Sequence, residues 1–312
     1  KRLIAFEKGN TEDACYGIAF DIGTTTVVGV LLNLTDGREL AIAATMNPQI
    51  SGGDDVISRI LRTREETGAL AEMHQAIITA LNDLISELCA AGEVKRSHIY
   101  EITVAGNTTM QHLFCGISPA ALGEVPFPPV YHRGLFLRAR DVKLRINSQG
   151  CLYVFPNIGG FVGGDTVAGI LAATLHLTDK PLLFVDIGTN GEIVLAYNGK
   201  MLAASTAAGP AFEGARITDG MRATDGAIEK VVTEKDDISY NVIGNTAPAG
   251  LCGTALIDLT AELLCHGVID TTGRILEPDE MPERAPAPIR KRVQAGKNCQ
   301  MQFLLATARQ IK

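Results

Sequence analysis

Runs of apolar residues broken by short polar turns open the chain. Ile18-Ala19-Phe20, Val27-Val28-Gly29-Val30-Leu31-Leu32 and Glu39-Leu40-Ala41-Ile42-Ala43 read as three strands within residues 17–45, and Asp36-Gly37 is the hairpin dipeptide between the last two. Residues 1–16 are polar and irregular and read as a lead-in. The spacing then changes. Met73, Ile77, Ile78, Leu81, Leu84, Ile85 and Leu88 recur with helical period, so Glu72 to Ala91 reads as a helix with one core face. Asp55 to Arg64 reads as a shorter helix before it, and Ile99 to Val104 as a short strand that runs into Ala105-Gly106-Asn107-Thr108-Thr109. Residues 125–155 read as an insertion, proline-rich at Val125-Pro126-Phe127-Pro128-Pro129 and holding short strands after that. An apolar helix is expected over Val167 to Leu177.

The opening pattern then returns. Leu182-Leu183-Phe184-Val185 leads into a turn, Glu192 to Tyr197 leaves it, Asn198-Gly199 makes the next turn, and Met201-Leu202-Ala203 returns. The two turns share their letters: Asp21-Ile22-Gly23-Thr24-Thr25-Thr26 and Asp186-Ile187-Gly188-Thr189-Asn190-Gly191. Strand, D-I-G-T, strand, Asp/Asn-Gly turn, strand occurs in both halves, which is an internal repeat of one structural unit. A final helix is expected from Thr254 to Cys265, followed by a charged, proline-containing stretch over Glu277 to Arg290.

The repeated turn has the composition of a phosphate site. Glycine lets phosphate oxygens approach the backbone, successive N–H groups form an anion nest, and threonine hydroxyls add neutral donors. An aspartate at the strand end offers hard oxygen to Mg²⁺. Two facing copies would clamp a polyphosphate, with Gly23, Thr24, Thr25 and Thr26 on one side and Gly188, Thr189, Asn190 and Gly191 on the other. Plain hairpin turns use the same residue types, but two copies in matching context favour the phosphate reading. There is no GxxxxGK[ST] and no G-x-G, so neither a P-loop nor the Rossmann fingerprint is present.

Composition narrows the partners. A net charge of −7 disfavours non-specific nucleic-acid binding, and an aromatic content of 5% without tryptophan disfavours base-stacking platforms. No apolar run reaches the length of a membrane span, and the start does not resemble a signal peptide. The protein is expected to be cytoplasmic, with no membrane contact. The seven cysteines are scattered without a CxxC and read as reduced core residues. The six histidines show no metal spacing.

Together these residues resemble the superfamily of acetate and sugar kinases, heat-shock ATPase chaperones and actin. The resemblance implies a duplicated ribonuclease-H-like α/β fold with an ATP cleft between two subdomains, here 17–180 and 181–312, of which the C-terminal one is expected to be incomplete at its end. Asn47-Pro48-Gln49, Gly53-Asp54-Asp55-Val56-Ile57-Ser58-Arg59 and Ala105-Gly106-Asn107-Thr108-Thr109-Met110 point to a narrower family. So do Pro156-Asn157-Ile158-Gly159-Gly160, Val162-Gly163-Gly164-Asp165, Ala207-Ala208-Gly209-Pro210-Ala211-Phe212-Glu213-Gly214 and Gly250-Leu251-Cys252-Gly253. These are similar to the ATP-binding part of reductive activators of corrinoid proteins. The resemblance implies ATP and Mg²⁺ as ligands, ATP hydrolysis that drives Co(II) to Co(I) in the corrinoid protein of a methyltransferase system, and a homodimer. It also implies an electron donor and a [2Fe–2S] cluster on a separate domain absent from this chain.

Roles follow from that resemblance. Asp21, Asp165 and Asp186 are the expected metal ligands, and Asp165, Asp186 and Glu192 the expected catalytic groups. Asp165 serves either as a helix N-cap or in Mg²⁺ binding and water orientation, and Glu192 either positions water or is a solvated strand residue. Asn107 and Thr108 either contact phosphate or cap the next helix, with Thr108 the expected cap. Gly209, Pro210, Gly250 and Gly253 are expected to line the nucleotide, and Cys252 to be a packed thiol at a helix start that suits an anion. Asp54, Asp55 and Arg59 either face a partner protein or mark a helix start. A small-molecule kinase of the same fold and a non-enzymatic actin-like scaffold are the alternatives.

Overall fold

Strands β1 (Tyr16–Ile22), β2 (Thr26–Asn33) and β3 (Glu39–Met46) form an antiparallel meander in which Phe20 lies opposite Gly29 and Val30 opposite Ile42. The computed structural model describes residues 6–12, 14–188, 190–207, 217–296 and 300–306. After helices α1 (Val56–Glu65) and α2 (Ala69–Ala91), strand β4 (Ile99–Gly106) returns parallel to β1. Helix α3 (Thr108–Cys115) follows, then β5 (Leu135–Arg138) and β6 (Cys151–Val154). The sheet order is β3-β2-β1-β4-β6-β5, with β4 and β6 parallel and β5 antiparallel at the edge. Residues 135–138 and 151–154, expected in an insertion, therefore complete this sheet. They are short and flanked by turns, so periodicity alone could not place them.

The core lies between this sheet and α2. Met73, Ile77, Ile78, Leu81, Leu84, Ile85 and Leu88, the residues of the helical stripe, are all buried and pack with Ile18, Phe20, Ile22, Ile102 and Val104. Helix α4 (Gly164–Ala172) is shorter than the apolar run suggests, because Thr174 turns left-handed at φ 52° and a short 3₁₀ turn, Leu175–Leu177, follows. Strands β7 (Leu182–Ile187), β8 (Asn190–Tyr197) and β9 (Lys200–Ala207) form a three-stranded sheet, and Asn198 and Gly199 make its second turn at φ 49° and 67°. Alternation along β8 buries Val194 and Ala196 with Ile170 and Leu175.

The chain divides into two units: Lys1–Asp186 with Glu192–Ser205, and Ile187–Gly191 with Thr206–Lys312. In the second unit, β10 (Ala227–Glu234), β11 (Asp237–Val242) and β12 (Gly250–Leu251) form a sheet in the order β11-β10-β12. Helix α5 (Gly253–Cys265) packs on it through Ala255 and Leu263. A short helix, α6 (Ala287–Arg290), and the pair β13 (Val293–Ala295) and β14 (Met301–Phe303) complete it, with Arg292 hydrogen-bonded to both carboxylate oxygens of Asp237 at 2.7 and 2.9 Å. Among the described residues no helix is long and apolar enough to cross a membrane.

Two glycines fix the carboxyl end of the parallel strands. A Cβ on Gly106 would lie 2.6 Å from the Ile22 carbonyl oxygen, and one on Gly163 would lie 2.5 Å from Asn107 Cα. Gly106→Ala must separate β1 from β4 and is expected to cost about 1–3 kcal/mol. The measurement is a lower denaturant midpoint with an unchanged slope. An unchanged midpoint would show that the strand ends are not held this tightly.

Candidate functional site

The first D-I-G-T turn joins β1 to β2, and its carbonyl groups are held from within the protein. Asn47 Nδ2 donates to Gly23 O at 2.7 Å, Arg59 Nη2 donates to Thr24 O at 2.6 Å, and the Asn47 backbone N–H donates to Thr25 O at 2.8 Å. Gly23 N–H closes the turn on Thr26 O at 2.9 Å. Thr24 Oγ1 accepts from Asn107 Nδ2 at 2.9 Å, which ties the turn to the start of α3. Asn47 is itself fixed, because its side-chain oxygen accepts from Gln49 N–H at the head of the Pro48–Gly52 3₁₀ turn. Thr24 is buried, Gly23 and Thr25 are half-buried, and Thr26 is exposed.

Four carboxylates gather in the same unit. Asp21 ends β1, Asp186 lies near the end of β7, Glu192 lies near the start of β8, and Asp165 is in the first turn of α4. Asp21 is exposed on one side, yet the protein packed around it, and then the Asp186 charge, raise it above the usual carboxylate range. Lost hydration pushes Asp165 up to about 6, with Asp21 and Asp186 adding to the shift and the Thr166 backbone N–H opposing it. Glu192 is 7% exposed. Burial, followed by Asp165 and Asp186, raises it to about 7, while Ser205 Oγ donates to it at 3.3 Å. The groups acting on these three are carboxylates, hydroxyls and a backbone amide, and no cation is among them.

That donor set suits a hard divalent cation, which would relieve the mutual repulsion. Among the described residues no three His, Cys, Asp or Glu side chains are placed to hold a metal ion by themselves. Mg²⁺ usually takes only one or two carboxylates and fills its shell with water and phosphate oxygens. Asp21, Asp165 and Asp186, which are linked through their charges, are the carboxylates that could share such an ion.

Several expectations change. Asn107, not Thr108, caps α3, its Oδ1 accepting from Met110 N–H at 3.0 Å. Thr108 is 0% exposed and donates to Gly159 O at 2.7 Å, so its hydroxyl is committed to the fold rather than to a ligand. Gly163 is the N-cap of α4, and Asp165 sits one residue inside the helix, which leaves its second oxygen for other work. Glu192 is buried, which removes the solvated-strand reading. Arg59 is buried and so does not face a partner, while Asp55 caps α1 with Ser58 in a capping box. Cys252 is packed as expected, but Cys151 and Cys265 are exposed rather than in the core. Asn47 and Arg59, which hold the turn, carry no signal in spacing or composition; only the family motifs contain them.

In the second unit, Gly188 N–H donates to Asn190 O at 3.0 Å across the second D-I-G-T turn, and Gly191 is buried. Gly250 lies in β12, and Gly253 begins α5 after Cys252. Thr189, Gly209, Pro210 and Cys299 lie outside the described residues.

A mixed sheet with an aspartate-bearing turn at the end of β1, repeated in sequence at β7, defines a protein of the kinase–chaperone–actin class. Comparisons with known proteins agree. The family model described as the C-terminal domain of RACo, the ASKHA domain, matches residues 180–305, and the RACo middle region matches residues 16–178. The chain belongs to the RACo family. It is 41% identical over 308 residues to the corrinoid activation enzyme RamQ of Eubacterium limosum, covering 98% of this chain and 51% of that protein. It is 28% identical over 230 residues to the [Co(II) methylated amine-specific corrinoid protein] reductase of Methanosarcina barkeri, covering 70% of this chain and 41% of that one. A solved reductive activator for corrinoid, iron-sulfur protein superposes with a TM-score of 0.82 at 37% identity, over 97% of this chain and 47% of that chain. The chain thus spans about half the length of these relatives or less.

The raised carboxyls predict a pH dependence. A carboxyl whose folded pKa exceeds its unfolded value stabilises the fold when protonated. The stabilisation is complete below the unfolded values of 3.8 for Asp165 and 4.5 for Glu192, and is lost as pH rises through about 6 and about 7. In metal-free protein the thermal midpoint should therefore carry a component that falls between about pH 4 and about pH 7. Glu192→Gln should reduce that fall. Parallel profiles for variant and parent would show that Glu192 is not raised.

Proposed function

We propose that this chain is the ATP-binding and ATP-hydrolysing part of a reductive activator that drives Co(II) to Co(I) in a corrinoid protein of a methyltransferase system. The observation that carries the reading is the 41% identity, along 98% of the chain, with a curated corrinoid activation enzyme. The first D-I-G-T turn supports it, because a backbone pinned from behind and flanked by carboxylates suits a metal–polyphosphate. Both curated relatives are named for action on corrinoid systems and neither for phosphorylating a small substrate, so the kinase reading gains nothing from them, nor does the scaffold reading.

In this reading Gly23, Thr24 and Thr25 hold phosphate oxygens, as do Gly188, Thr189 and Asn190 of the second turn. Asp21 holds Mg²⁺, with Asp165 and Asp186 on the ion or its waters. The ion supplies charge neutralisation at the transferring phosphoryl group. Glu192, raised to about 7, is poised to take a proton from a water near neutral pH. Gly250 and Gly253 line the nucleotide. The partners are the corrinoid protein and an electron donor acting through a [2Fe–2S] centre on another domain, and the assembly is a cytoplasmic homodimer.

The test uses the full-length protein under anaerobic conditions with a Co(II) corrinoid protein and a low-potential reductant. Co(I) should form only when Mg-ATP is present, read by its visible absorption. Asp21→Asn should raise the Mg²⁺ concentration needed for half-maximal Co(I) formation by at least roughly 10-fold, since even partners behind a ligand cost that much. Formation of Co(I) at the same rate without nucleotide would reject the proposal.

A further inference from the structure

Arg59 is fully buried and is the bulkiest side chain in that state among the described residues. An arginine without solvent is a costly group unless its charge does something. Among the described residues its hydrogen bonds go to neutral groups: Nε to Gly53 O at 2.9 Å, Nη2 to Thr24 O at 2.6 Å, and Nη1 to Met110 Sδ at 3.0 Å. Asp54 and Asp55 act on it as nearby charges, and burial lowers its pKa to about 10, so it stays charged at neutral pH. A guanidinium can span several acceptors because its donors form a rigid planar fork. Here the fork links α1, the loop before it, α3 and the first D-I-G-T turn.

The contact with Thr24 has a directional consequence. In a trans peptide the C=O of one residue and the N–H of the next point opposite ways. Drawing Thr24 O inward to Arg59 turns the Thr25 N–H to the other side. Asn47, donating to Gly23 O, does the same for the Thr24 N–H. The two side chains thus orient consecutive peptide dipoles of the turn in one sense, and Arg59 adds a full positive charge behind them.

Resting on the nucleotide-site reading above, we propose that Arg59 is the positioning residue of the first phosphate turn, fixing its peptide dipoles and supplying a buried positive charge to a bound nucleoside polyphosphate. A residue that only supports the fold would weaken every ligand alike. A charge aimed at phosphate weakens ligands in proportion to the phosphate they carry.

Calorimetric titration of the full-length protein with adenosine, AMP, ADP and ATP, the last two with Mg²⁺, separates these cases. Affinity of the parent protein should rise with phosphate number; if ATP binds no better than adenosine, the nucleotide site itself is wrongly assigned and the Arg59 proposal falls with it. If the parent shows the rise, Arg59→Met should weaken ATP by roughly 10- to 100-fold, the range for one hydrogen bond to a charged group, and leave adenosine unchanged. Arg59→Lys keeps the charge but not the fork, and should give a smaller loss that still grows with phosphate number. If Arg59→Met does not fold, the lysine variant decides alone. Equal losses for adenosine and ATP, or no loss for ATP, overturn the Arg59 role while leaving the nucleotide site intact.

Discussion

Strands β1 and β4 meet at their carboxyl ends with Gly106 so near Ile22 that a methyl group would lie 2.6 Å from its carbonyl oxygen. The start of α4 comes equally near, with Gly163 against Asn107. Close backbone approach at this edge places three chain segments within reach of one another: the turn after β1, the cap of α3 and the first turn of α4. The hydrogen bond from Asn107 to Thr24 and the effect of Asp21 on Asp165 follow from it. Sheets with parallel strands offer ligand sites outside their carboxyl ends. Here that edge is built from glycine, so that the polar side chains around it can converge.

Convergence has an electrostatic cost. Asp21, Asp165 and Glu192 are each raised by lost hydration and by one another or by Asp186. A cluster of this kind is least favourable when all its members are ionised, so the fold holds it against repulsion that a divalent cation would reverse. Raised carboxyls near neutral pH are also suited to proton transfer. The two groups differ in setting: Asp21 ends β1 directly before the glycine turn, while Glu192 is enclosed on β8 with Ser205 as its partner.

What the sequence made legible was whatever periodicity or repetition encodes. The stripe from Met73 to Leu88 is buried as its spacing requires, and the meander of β1 to β3 follows its apolar runs and Asp-Gly turn. The paired D-I-G-T turns were visible because two copies in one context are hard to produce by chance. Choices between neighbours were not legible: Asn107 and Thr108 are both good caps, and only the backbone geometry selects Asn107. Strands β5 and β6 were legible as short strands but not as members of the first sheet, because four residues carry too little pattern to show that β6 pairs with β4. Arg59 was misplaced for a related reason. A charged residue in the first turns of a polar-faced helix reads as surface, and its burial depends on Thr24, Gly53 and Met110, none of which its own neighbourhood announces.

A buried cation behind a phosphate turn differs physically from a lysine at its mouth. A surface lysine is hydrated and flexible, so it gives up side-chain entropy when it closes on an anion and is screened by salt. Arg59 has already been ordered and desolvated by folding, and among the described residues its hydrogen bonds go to neutral groups, with Asp54 and Asp55 as nearby charges. Its field therefore reaches the turn through protein rather than water, where a charge acts more strongly at a given distance. The arrangement shifts the cost of organising the site from the binding step to the folding step. A fixed positive charge lies behind the glycine turn, and Asp21 at the end of β1 belongs to a separate group of carboxylates. A ligand that carries both signs, an anionic polyphosphate with its divalent cation, satisfies both halves together, whereas either ion alone satisfies only one.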